Sequence, residues 1–209
     1  HSSTLFPYTT LFRSPTVFSA NCGGWTENND TVWSAPPNAA LRGVSDMPKG
    51  KGPKTLDAGN LRDWLKTRPA AYCSASKDTF RWTRRFSTKE ITDLVNKKYA
   101  VGTVRALEPG ERGPSGRLKS LKVIGSKKTQ VIQKELNIRL AFGGLPSAMF
   151  MVEASGSAKS PDAFNFYGGG TGHGVGLCQS GACGMAAAGN GYADIVRHYF
   201  PHAELVRIH

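Results

Sequence analysis

The stretch GGGTGHGVGLCQSGACGMAAAG, residues 168–189, gathers residue types that could do chemistry: a histidine, a glutamine, a serine and two cysteines, set among glycines and without a carboxylate. A nucleophile reading takes Cys178 or Ser180, with His173 or His198 as base. Ser180, however, lacks the GxSxG elbow, and a cysteine among small residues packs more often than it reacts. A zinc reading takes His173, Cys178, Cys183 and Cys22, but these spacings match no familiar closed site, and no metal site is assigned. A phosphate cradle would need GxGxxG in this stretch or a GxxxxGK[ST] motif, and neither occurs. The plainest reading is a tight strand-to-helix turn in which glycine supplies positive φ and lack of bulk. That explains the glycines but not His173 and Gln179, two hydrogen-bonding side chains placed among them.

The elements that must position this turn can be followed along the chain. PTVFSANCGGWTENNDTVW opens with a short β-type run, Thr16 to Phe18, then a Gly-Gly turn and a polar loop that holds Glu27 and ends on Trp33. SDMPKGKGPKTLDAG, rich in Pro, Gly and Lys, is expected to be an exposed loop. NLRDWLKTRP sets Leu61, Trp64 and Leu65 on one face of a helix that must stop before Pro69. FSTKEITDLVNKKY carries the strongest local signal. Ser87 and Glu90 form a capping box, Phe86 and Ile91 occupy staple positions, and Ile91, Leu94 and Val95 make a buried stripe.

Beyond Val104 the period shortens. GRLKSLKVIG, TQVIQKELNIRLAF, SAMFMVEAS and DAFNFYG are expected to be strands, with Leu121/Val123 and Phe164/Phe166 alternating against polar neighbours. CQSGACGMAAAG is predicted to be helical and ended by Gly189. In YADIVRHYF a second helix places Tyr192, Ile195, Val196 and Tyr199 on one face and stops before Pro201. The fold class is α+β.

Composition sets bounds on function. The chain has 209 residues, 39% of them hydrophobic and 20% charged, within the range of globular domains. No apolar run is long enough to cross a membrane. Lys+Arg number 27 against 15 Asp+Glu, for a net charge of +12, which favours a polyanionic partner. No nucleic-acid motif accompanies that charge, so nucleic acid is not expected as the partner. Four cysteines, Cys22, Cys73, Cys178 and Cys183, lack CxxC spacing and leave three pairings open if oxidised.

GHGVGLCQSGACGMAAAGNGYADIVRHYFPHAEL resembles the terminal signature of the SpoIID/LytB family, whose pattern runs GHGVGMSQ-GA-GMA-G-Y-IL-HYYP. The resemblance continues upstream through FSANCGGWTENNDTVW, RGVSD, FRW, GPSGRLKSLKVIG, IRLAFGGLPSAMF and FNFYGGG, and so covers nearly all of residues 16–206. It departs at Leu177-Cys178, where many members carry Met-Ser.

The resemblance implies an α+β, β-rich domain, exported to the cell envelope and needing no cofactor. It implies a lytic transglycosylase acting on peptidoglycan glycan strands stripped of stem peptides, with a non-catalytic wall-binding or amidase-enhancing module as the alternative. It further implies that the general acid is a glutamate upstream of the CGG segment, in an Ala-rich helix resembling EALKAQAVAART. No such stretch occurs here, and none of Glu27, Glu90, Glu108, Glu111, Glu135, Glu153 and Glu204 has a matching context. Residues 1–14 contain TLFPYTTLFRS, which matches a translated sequencing adapter. Residues 15–209 are therefore expected to be the C-terminal portion of the family domain, with 45–85 as a loop-rich subdomain, and neither the catalytic glutamate nor any export signal is expected among them. His173, Gln179 and Ser180, with Gly172 and Gly174, are expected to line a sugar cleft and hold hydroxyl or acetamido groups. Arg117 and Arg139 fall at shared positions, to meet a lactyl carboxylate or to pair with a neighbouring acid. The expected partners are glycan strands and, for the alternative, a cell-wall amidase.

Overall fold

Runs of alternating apolar residues and short amphipathic helices follow one another in the order β1 (Phe18–Ser19), α1 (Asn29–Val32), α2 (Leu61–Lys66), α3 (Lys77–Phe80), β2 (Arg81–Ser87), α4 (Thr88–Asn96), β3 (Val104–Pro109), β4 (Ser120–Gly125) and β5 (Thr129–Gln133). α5 (Glu135–Ala141), β6 (Phe150–Ser157), β7 (Ser160–Gly169), β8 (Leu177–Cys178), α6 (Gln179–Ala187) and α7 (Tyr192–Tyr199) complete the order. The structure, a computed structural model, describes residues 17–48, 51–157 and 160–205. The adapter-like residues 1–14 and the start of the first β-type run, Thr16, lie outside these.

Two antiparallel three-stranded sheets, β2-β7-β6 and β3-β4-β5, enclose the main core. The expected alternation holds: Leu121 and Val123 of β4 and Phe164 and Phe166 of β7 are buried, joined by Phe150, Ile132, Ile91 and Val95. Phe166 packs 5.2 Å from Phe150 and edge-on to Phe86, so the aromatic side chains lock one sheet and its neighbours in register. The capping box of α4 is present, with Glu90 N–H donating to Ser87 Oγ at 3.2 Å and Ser87 N–H to Glu90 Oε2 at 2.7 Å.

Residues 135–141 differ from expectation. The strand beginning at Thr129 ends at Gln133, Lys134 turns the chain with φ 75°, and α5 follows. Ile138 and Ala141, three apart, face inward, while Glu135 and Arg139, four apart, pair along the helix. A 3.6-residue period therefore governs where the isolated β-branched residues suggested a strand.

Two smaller cores carry the candidate site. In one, Trp64 of α2 sends its indole N–H to the Gly23 carbonyl at 3.1 Å, and Leu61, Leu65, Trp25, Leu56 and Met149 pack around it. In the other, α6 and α7 close over Cys22, Cys73, Phe80, Val175 and Cys178. Tyr199 of α7 is fully buried, whereas Tyr192, expected on the same face, is 81% exposed at the first turn. The loop beginning at Ser45 is not wholly exposed, because Asp46 and Leu56 are buried within it. β1 pairs in parallel with β8, Phe18 against Leu177 and Ser19 against Cys178, and bridges at Asn21–Thr171 and Glu27–Val175 extend that contact. The glycine-rich turn is thus threaded against the N-terminal segment.

Candidate functional site

Beneath the turn lies a buried polar chain. Arg117, with no exposed surface, donates from Nη1 to Ser115 Oγ at 2.9 Å, and Ser115 Oγ donates to Glu27 Oε2 at 2.5 Å. Glu27, expected in a polar loop, is itself fully buried, and its backbone N–H binds the Gly174 carbonyl at 2.8 Å. Burial pushes the Glu27 carboxyl up, while the Ser115 hydroxyl and the Asn28 N–H pull it down. Gly174 has φ +81°, and a Cβ there would run into the Arg117 guanidinium. Glycine is therefore required at Gly174 by both conformation and space.

His173 sits at the top of the same turn, half-buried, its Nδ1 accepting from the Val175 N–H at 3.0 Å. Burial first, then the charges of Arg117 and Arg139, lower its pKa to about 4, so the ring is neutral at physiological pH. The imidazole faces Trp33, ring centroids 5.1 Å apart and tilted by 55°. Trp33 is 37% exposed and Phe18 58% exposed. Gln179 is exposed at the first turn of α6 and lines a groove of about 380 Å³ with Val17, Phe18, Leu177, Val196 and Phe200.

The residues expected to line a cleft therefore separate into two groups. His173 packs against Trp33, and Gln179 lines the groove beside Phe18 and Leu177. Gly172, half-buried, and Gly174, buried, shape the backbone of the turn, Gly172 by its N–H bond to the Pro146 carbonyl at 2.8 Å. Ser180 binds inward, with both Oγ and N–H on the Ala20 carbonyl, at 2.9 and 3.1 Å. Arg117 meets Ser115 and the carbonyls of Trp25 and Cys22. Arg139 donates to the Leu145 carbonyl at 2.7 Å and faces the buried Glu135 at 3.5 Å. Sequence reasoning overlooked Phe18 and Trp33, whose types were visible but whose exposure was not.

The residues of the zinc reading do not meet as a set. Cys183 is exposed on α6, and His173 belongs to the turn. Cys22 and Cys178 instead converge with Cys73 and Asp46, all buried, their ligand atoms within 4.8 Å of one another. Hydrogen bonds from the Cys22 and Cys73 thiols hold Cys178 well below the usual thiol range, aided by backbone N–H groups of Cys22 and Gly181. Burial, with the Cys178 charge, pushes Asp46 up to about 7.

A family model described as a domain of unknown function, DUF8618, matches residues 27–176. The amidase enhancer of Bacillus subtilis is 26% identical over 90% of this chain and 29% of its own length. Stage II sporulation protein D of Bacillus amyloliquefaciens is 28% identical over 90% of this chain and 44% of its own length. The chain belongs to the DUF8618 family, and the two named relatives support its resemblance to the SpoIID/LytB family. An uncharacterized protein of Brachyspira hyodysenteriae is 28% identical over 91% of this chain and 43% of its own length. The chain thus spans less than half the length of the curated relatives it matches.

Proposed function

We propose that this chain is part of an exported cell-envelope protein that binds peptidoglycan glycan strands freed of stem peptides and takes part in their cleavage as a lytic transglycosylase. The observation that carries the reading is the grouping of exposed Trp33, Phe18 and Gln179 with the half-buried His173. Aromatic faces there can stack on sugar rings, and a neutral imidazole and an amide can address hydroxyl and acetamido groups. The names of the two Bacillus relatives support an envelope role. The net charge of +12 suits a denuded strand, which carries a free lactyl carboxylate on each disaccharide.

In such a reaction one carboxylic acid protonates the glycosidic oxygen. The resulting carboxylate then takes the proton of the muramic acid 6-hydroxyl as that oxygen closes on C1, giving a 1,6-anhydro end. Six of the seven glutamates are buried, capping or ion-paired. Glu27 and Glu135 are buried, Glu90 caps α4, and Glu108, Glu111 and Glu153 face Lys122, Lys119 and Arg62. Glu204 is exposed at the lip of the Gln179 groove. The general acid of this reading is the glutamate that the resemblance implies. The relative named amidase enhancer favours a second reading, a glycan-binding module that assists an amidase.

Sedimentation with purified denuded glycan strands, followed by mass spectrometry of the soluble products, tests the proposal. The chain should bind the strands and release no anhydro-sugar, and the product of the complete gene should release it. Failure of the chain to bind overturns the glycan reading. A complete protein that binds, cuts nothing and stimulates an amidase establishes the second reading.

A further inference from the structure

We infer that Cys22, Cys73, Cys178 and Asp46 hold a divalent metal ion, zinc, as a closed structural centre beneath the glycine-rich turn. Four separate segments of the chain deliver these side chains to one point: the turn after β1, the loop beginning at Ser45, the 3-10 helix Tyr72–Ala75, and the N-cap of α6. Each is buried. Three thiols and one carboxylate oxygen make a borderline-soft, four-donor set, which suits tetrahedral zinc and leaves no open position for catalysis.

The spacing fits an ion better than a bond. The sulfurs of Cys22 and Cys73 stand 3.7 Å apart. That is far beyond a disulfide and matches the edge of about 3.8 Å expected between two sulfurs that each lie about 2.3 Å from a tetrahedral zinc. Cys183, the remaining thiol, is exposed and takes no part.

The outer contacts are those a metal centre needs. Cys178 Sγ accepts the backbone N–H groups of Cys22 at 3.2 Å and Gly181 at 3.3 Å, at the positive end of α6, which stabilises a thiolate. The two Asp46 oxygens accept from the Cys73 N–H at 2.8 Å and from the Tyr199 hydroxyl. Ligating carboxylates are held by such second partners. Gly181 has no room for a side chain, because a Cβ would strike the Tyr199 hydroxyl and the Asp46 carboxylate.

Ordinary packing does not explain the carboxylate. Asp46 has no ion-pair partner among the described residues. Arg81, the cation whose charge reaches Cys73 and Cys22, gives its N–H groups to the carbonyls of Thr67, Gly23, Phe80 and Trp64. A buried acid without a cation is costly, and a divalent ion supplies the missing charge. Its binding releases the thiol protons to solvent and leaves all four ligands tied to one atom.

The test uses the whole 209-residue chain, purified without chelator and desalted, with zinc measured by atomic absorption. About one zinc per chain is expected. Exchange with cobalt(II) chloride should give thiolate-to-cobalt charge transfer and the strong visible bands of tetrahedral coordination. Stripping the ion with a chelator should lower the melting temperature by roughly 10 °C. Cys183→Ser should keep the zinc and the cobalt spectrum, and Cys73→Ser should lose both. The wild-type stoichiometry decides the matter even if Cys73→Ser does not fold. A chain that retains no zinc and takes up no cobalt overturns the inference, as does peptide mapping that finds Cys22 bonded to Cys73.

Discussion

The Trp33 indole and the His173 imidazole lie 5.1 Å apart at the outer edge of the glycine turn, one delivered by the segment after α1 and the other by the turn before β8. Their partial exposure lets this pair present an aromatic face to a solute. Trp33→Ala should therefore weaken binding to denuded glycan about tenfold, or ~1.4 kcal/mol, while the thermal melt moves little. Calorimetric titration of both proteins against the same strands measures this. Equal affinity would remove Trp33 from the binding surface.

The titration of His173 sets a pH window. Its folded pKa of about 4 lies below the ordinary 6.5, so between those values the unfolded chain takes up a proton that the folded chain does not. Stability should accordingly fall as pH is lowered from 6.5 toward 4, and His173→Gln should flatten that part of the profile. Urea midpoints across this range measure it, and parallel profiles would show that His173 does not contribute.

Glu27 is the acid end of the buried chain through Ser115 to Arg117. Glu27→Ala removes the acid that anchors Arg117 through Ser115 and should cost about 3 kcal/mol. Glu27→Gln, which keeps an acceptor for Ser115, should cost less. The midpoint shift at constant denaturant slope reads both values.

Gly174→Ala meets two obstacles at once, a positive φ and the Arg117 side chain. It should destabilise the fold by about 2 kcal/mol and shift the His173 resonances in NMR spectra. A wild-type melt for this variant would mean that the turn can relax away from Arg117.

Much of the fold was legible because its signals are local. The Ser87–Glu90 box, the Leu61–Trp64–Leu65 face and the Phe164/Phe166 alternation each depend on neighbours within a few positions. α5 was misread because Ile138 belongs to a helical pairing with Ala141, whereas the preceding strand supplied a β-type context. Asp46 looked solvent-exposed in a Pro-, Gly- and Lys-rich run, and its burial depends on Tyr199, 153 positions away. For Glu27 and Ser115, 88 positions apart, the same is true. The family signature pointed to the glycine turn. It gave no indication that Cys73 would join Cys22 and Cys178 or that Phe18 and Trp33 would remain exposed, because long-range packing sets those outcomes.

The parallel pairing of Phe18–Ser19 with Leu177–Cys178 has a consequence for biosynthesis. The strand Phe18–Ser19 emerges from the ribosome well before its partner has been made, with its backbone groups unpaired, so the two large sheets can assemble while the lobe that carries the glycine-rich turn still waits. Closure of that lobe must await synthesis of residues 177–178, and premature termination anywhere before residue 177 would leave an open edge for another chain to occupy.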